Sequence, residues 1–188
     1  MRFFCTNKFI FSFLILLITL VISNQVFTQE NSKLTDISLK FFVTHPWKKV
    51  EGTCKEIKLD RSKITQSGNL FNLALPYNLS CPLINMKTGD TNRDSHMLEV
   101  LGYPNSKEIT LNITKMKSLP DRKYSLEGEL TINSNKKALI LIVDEDSSKL
   151  GKFSGKFEIL LSEFKVERPS LLFVPIDDKV KIEFEVQL

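Results

Sequence analysis

The stretch Thr88-Gly89-Asp90-Thr91-Asn92-Arg93-Asp94-Ser95-His96-Met97-Leu98-Glu99-Val100-Leu101-Gly102-Tyr103-Pro104 breaks a chain otherwise written in strand alternation. Met97, Leu98 and Leu101 fall on one face at helical spacing. Thr91 reads as the cap, with Asp94 three residues on in the place of the usual capping-box Glu or Gln. Gly102 and Pro104 end the run. The spacing predicts one short helix over residues 92–101, set between strands as a plug or corner.

Outward from this helix the apolar period is two. Val180, Ile182, Phe184, Val186 and Leu188 alternate with charged or amide side chains, which sets one face on an apolar interior and the other in water. Phe153, Gly155, Phe157, Ile159 and Leu161 repeat the pattern, as do Tyr124, Leu126, Gly128, Leu130 and Ile132. Ile109, Leu111 and Ile113 form another run, and Ile37, Leu39 and Phe41 an earlier one. Residues 50–59, 70–75 and 138–143 complete eight candidate strands. Residues 138–143 are apolar throughout, which predicts cover on both faces. The turn-forming connections are too short for helical crossovers, so the sheet is antiparallel. Gly128 and Gly155 mark places where it can bend. Eight such strands can close a barrel that is filled by side chains or holds one slender ligand.

The run Arg93-Asp94-Ser95-His96-Met97, with Thr88-Gly89 before it and Tyr103-Pro104 after, resembles the YceI-like family of lipid-binding, lipocalin-like barrels. Gly128-Glu129-Leu130-Thr131-Ile132 resembles the family's G-x-L-T-I motif, and the resemblance covers residues 37–188. It implies an all-β fold, a single antiparallel eight-stranded lipocalin-like β-barrel with one short helix. Asn85-Met86-Lys87 stands where the family often has a serine before the Thr-Gly pair.

Residues 1–28 read as a secretory signal, with Arg2 and Lys8 ahead of an apolar run over 9–22. That run is shorter than the roughly 20 residues a membrane span prefers, which favours cleavage over a retained anchor. Cys5 precedes it and cannot be a lipoprotein cysteine. The expectation is a periplasmic or secreted protein whose one domain occupies residues 29–188. Taking Arg2 and Lys8 from the formal charge of +4 leaves +2, too little to argue for nucleic acid. Fourteen Phe can fill a core or line an apolar cavity.

Cys54 and Cys81 remain after export, where disulfides form. They stand equally far from a turn at Ser67 and Gly68, so one long hairpin would set them opposite each other. Pro76 would interrupt that ladder. A bridge would stabilise the fold by roughly 3.5 kcal/mol on the chain-entropy estimate. Buried free thiols are the alternative reading.

Catalytic chemistry is thinly represented. The two histidines, His45 and His96, are far apart in sequence. A hydrolase-like cluster of Arg93, Asp94 and His96 competes with a structural reading, in which Arg93 and Asp94 hold the helix entrance while His96 covers a turn. No metal-ligand spacing is present, and Asp144-Glu145-Asp146 lacks the Gly and terminal Glu of a calcium loop. Asn78 and Asn112 fit the glycosylation acceptor pattern. These residues point to no enzyme and to no cofactor beyond a bound lipid.

The resemblance implies instead an exported carrier for an isoprenoid quinone or a fatty-acid-like lipid, with a membrane as the ligand's source. The alternative is an exported structural or interaction protein with a filled core. The apolar register nominates Phe41, Leu111, Ile113, Leu126, Leu130, Phe157, Ile159, Ile182 and Phe184 as walls, with Leu98, Leu101 and Tyr103 beside the helix. A charged head would sit at the mouth near His45, Lys48 or Arg168, since the walls carry no inward charge. The apolar residues 171–175 are expected to close the tube or line its mouth.

Overall fold

A computed structural model of the chain describes residues 36–68 and 70–188. The signal expected over residues 1–28 lies outside them. Strands β1 (Asp36–His45), β2 (Lys48–Cys54) and β3 (Lys58–Leu59) lead to β4 (Ile64–Ser67), β5 (Leu70–Leu73), β6 (Tyr77–Pro82) and β7 (Met86–Lys87). The helix α1 (Thr91–Val100) follows. After it come β8 (Glu108–Leu119), β9 (Lys123–Ile132), β10 (Asn135–Glu145) and β11 (Lys152–Leu160). The short strands β12 (Ser170–Leu171) and β13 (Val174–Pro175) precede β14 (Lys179–Gln187).

Ten strands form one antiparallel sheet, in the order β3-β6-β8-β9-β10-β11-β14-β1-β2-β7. Its two edges are not independent. β3 continues β2, and β7 continues β6 through a turn at Leu83–Asn85. Each pair is a single wall interrupted mid-way, so the ten strands make eight walls curled into a barrel. At the interruption the Lys55 amide donates to the Asn85 carbonyl at 3.0 Å, and Cys54 is disulfide-bonded to Cys81 with 6.3 Å between their Cα atoms.

Three sequence expectations change here. The bridge does not come from one long hairpin: Ser67 pairs with Leu70, the ladder ends at Ile64 opposite Leu73, and β4–β5 is a separate two-stranded sheet. Residues 70–75 therefore leave the wall, and β6 takes their place beside β8, with Tyr77 opposite Ile113. Residues 138–143 are not covered on both faces. Leu139, Leu141 and Val143 turn inward, whereas Ile140 and Ile142 are exposed.

Alternation reads directly into burial elsewhere. On β14 Val180 and Ile182 are buried between exposed Lys179, Lys181 and Glu183. Gly128 faces a bulge in β8, where the register shifts between Ile113 and Lys115, so the bend anticipated there is real. β10 and β11 pair only from Val143–Gly155 to Glu145–Phe153 and then part. The turn Leu161–Phe164 packs beside the widening gap with Phe164 fully buried.

Candidate functional site

Helix α1 is tied down at both ends. Its cap is Asp90, one residue before the expected Thr91, and the Asp90 Oδ1 accepts from the Arg93 amide at 3.0 Å. That bond holds the Asp90 carboxyl below its ordinary range. Asp94 completes no capping box. It is buried, and its Oδ1 accepts from the Thr88 amide at 2.8 Å and the Thr88 hydroxyl at 2.6 Å. At the other end the Gly102 amide donates to the Glu99 carbonyl and the Tyr103 amide to that of Leu98, the paired bonds of a Schellman stop. Gly102 has φ +89°, and a Cβ there would strike the Asn133 side chain.

Anchored so, α1 turns Arg93, His96, Met97, Val100 and Leu101 toward the barrel interior. The interior is a cavity of about 410 Å³. Leu101 packs with Phe41, Leu130, Ile132 and Val180 in one buried cluster. Phe71, carried in by the β4–β5 hairpin, packs with Tyr124, Leu141, Val143 and Phe153 in a second. The Phe71 and Phe153 rings meet edge-on at 5.5 Å. Leu111 and Phe157 touch both clusters. The cavity thus has the helix at one end and an aromatic floor at the other, with walls that are almost wholly hydrocarbon.

Two of the wall phenylalanines lie across the barrel surface rather than into the void, because each faces a glycine. Phe41 pairs with Gly52 and Phe184 with Gly155, and a Cβ on either glycine would collide with the facing ring. The missing side chains give those rings somewhere to lie and keep the tube open.

Of the residues nominated from sequence, Phe41, Leu101, Leu111, Ile113, Leu126, Leu130, Phe157, Ile159, Ile182 and Phe184 line the cavity. Leu98 does not. It packs against the core from beside the inward stripe that begins at Arg93, and Met97 lines the cavity instead. Tyr103 is exposed. Met86, Val50 and Tyr77 also contribute to the walls, in segments whose prolines and short strands hid their register.

The polar nominees are dispersed. His45 is buried and has no nitrogen to spare: Nδ1 accepts from the Trp47 amide at 3.4 Å, so Nε2 carries the hydrogen and donates to the Val174 carbonyl at 3.0 Å. Lys48 and Arg168 are exposed and stand outside the lining. Arg93, Asp94 and His96 do not converge, since Asp94 serves Thr88 while His96 Nδ1 meets Glu99 at 3.4 Å. Among the described residues no cluster of His, Cys, Asp or Glu is placed to hold a metal.

A family profile, the YceI-like domain, matches residues 27–188. The chain belongs to the YceI-like family. No curated protein matches it by sequence. In structure this YceI-like chain is similar to BcnA of Burkholderia cenocepacia, with TM-score 0.65 and 15% identity over 80% of this chain and 94% of that one. A polyisoprenoid binding domain from Saccharophagus degradans, implicated in plant cell wall breakdown, gives TM-score 0.57 and 11% identity, covering 82% and 94% of the two chains. The YCEI protein of Campylobacter jejuni gives 0.54 and 19%, covering 72% and 83%. At these identities the likeness is one of fold.

Proposed function

We propose that this YceI-like protein is an exported, non-catalytic carrier that holds a slender apolar chain, an isoprenoid or a fatty-acid-like lipid, along the barrel axis. One observation carries the reading: between the packed clusters the interior holds a cavity of about 410 Å³ lined almost wholly by hydrocarbon. Water gains little from walls with so few polar partners, whereas a hydrocarbon chain gains about 0.8 kcal/mol for each methylene it buries there. The polyisoprenoid binding named for the Saccharophagus domain supports the same ligand class. Arg93 and His96, on the cavity face of α1, are the polar groups nearest a head group at that end. They replace His45, whose ring is already committed.

Mass spectrometry of organic extracts tests the reading, using protein purified from its own host. A stoichiometric isoprenoid or acyl lipid is expected. Repeated recovery without lipid, combined with a failure to take up apolar fluorescent probes, would overturn it in favour of a structural or interaction role.

A further inference from the structure

Among the described residues, two hairpins are closed by two-residue loops with positive φ at both residues. In the β9–β10 loop these are Asn133 and Ser134, at +45° and +63°. In the β12–β13 loop they are Leu172 and Phe173, at +50° and +67°. Such loops favour Asn, Asp and Gly, because left-handed backbone crowds a bulky Cβ. The first loop follows that rule at Asn133 and sets a small polar residue, Ser134, beside it. The second puts two large apolar side chains where the backbone tolerates them least, and then leaves them in water. Leu172 is 70% exposed and Phe173 100%. Neither lines the cavity, so the expectation that residues 171–175 close or line the tube does not describe this tip.

The hairpin adjoins a second apolar projection. Trp47, the chain's one tryptophan, is 60% exposed in the β1–β2 turn. The His45 bond to Val174 joins the two segments, as does the Asp177 amide donating to the Thr44 carbonyl at 2.8 Å. The His45 ring meets the Trp47 ring edge-on at 5.0 Å. Lys48, Lys49 and Arg168 are exposed around these tips; residues 45–50 and 168–176 themselves carry no carboxylate, and the exposed Glu51, Glu167 and Asp177 bound the two segments. None of the three cations is ion-paired among the described residues, although Lys48 lies within the field of Asp90 and Arg168 within that of Asp178.

We propose that this rim docks the barrel on an anionic lipid bilayer, with Trp47, Leu172 and Phe173 entering the interface and Lys48, Lys49 and Arg168 meeting lipid phosphates. Tryptophan and short apolar wedges suit the boundary between headgroup and acyl chain, and cations add affinity for an anionic leaflet. Two narrow apolar tips with exposed cations beside them fit a deformable surface better than the flat, closely packed patch of a protein interface. Pro169 and Ile176, which flank the hairpin, line the cavity, so the rim borders its wall. The inference stands whatever the cavity holds.

The test uses the full chain with vesicles of phosphatidylcholine containing phosphatidylglycerol, and with phosphatidylcholine alone. Trp47 emission is expected to shift blue with the anionic vesicles and little with the neutral ones. Leu172→Asn combined with Phe173→Gly supplies the residues this turn prefers, so the variant should melt no lower than the parent while binding anionic vesicles about tenfold more weakly. Association driven by the apolar N-terminal run would persist in that variant. Unchanged Trp47 emission, or equal vesicle binding by parent and variant, would overturn the proposal. So would self-association that the variant abolishes without any vesicle binding, which would assign the rim to a second copy of the chain.

Discussion

The Cys54–Cys81 disulfide joins the second strand from one edge of the sheet to the second strand from the other. It lies where both seam walls are interrupted, beside the Lys55–Asn85 hydrogen bond. The cross-link therefore staples the barrel shut at the place where ladder bonding is weakest.

Replacing both cysteines with serine should lower unfolding free energy by roughly 3.5 kcal/mol, the chain-entropy value for a separation of 27 residues. Denaturant titrations with and without reductant check this. A parent protein insensitive to reductant would show that the seam holds without the bridge.

Gly52→Val and Gly155→Val should push the Phe41 and Phe184 rings into the void. The cost expected is about 1–3 kcal/mol of stability, the usual range for overpacking. A larger effect is expected on the uptake of an apolar fluorescent probe, because the tube narrows. Full probe binding by a folded variant would show that the rings have another place to go.

Tyr77 is buried with its hydroxyl unpartnered, whereas the Tyr124 hydroxyl donates to Glu145 at 3.2 Å. Tyr77→Phe should thus be neutral or stabilising by about 1 kcal/mol, while Tyr124→Phe should destabilise. Burial also pushes the Tyr77 pKa from 10.0 up to about 12. A raised folded-state value means this contribution is complete below pH 10 and is lost as pH rises toward 12. Alkaline melting curves should show that loss in the parent and less of it in Tyr77→Phe.

Asp94→Ala should cost about 1–3 kcal/mol, because it strands the half-buried Thr88 amide and hydroxyl that the buried carboxylate serves. His96→Ala should change stability little, since that ring is exposed. Thermal unfolding of the two variants, measured side by side, separates the roles. An equal loss from both would mean that the helix entrance depends on His96 as well.

Much of the barrel could be read from residues. Period-two runs on β9, β11 and β14 set their registers, because each alternates Phe, Leu, Ile or Val with charge. β10 defeated that logic: when Ala138, Ile140 and Ile142 share a strand with Leu139, Leu141 and Val143, hydropathy no longer tells inside from outside. β6 was hidden by Pro76 and Pro82 at its borders and by Asn78 and Ser80 within it. The cysteine pair was visible, but its cause was not, since a barrel seam brings residues together by closure and leaves no local spacing. On the helix, Met97 and Leu98 stand four and three residues before Leu101, so spacing alone puts both beside it; packing turns Met97 to the cavity and leaves Leu98 against the core at its side.

Strand β1 pairs along nearly its whole length with β14, from Asp36–Gln187 to Val43–Val180. The first wall of the barrel thus waits for the last. However fast the central meander from β8 to β11 collapses, the cylinder stays open until β14 has been synthesised, and this long-range pairing makes closure the slow event. Shortening the chain by its final strand would remove the partner of both β1 and β11. A lesion in β14 would therefore unmake the first strand of the barrel as thoroughly as the last.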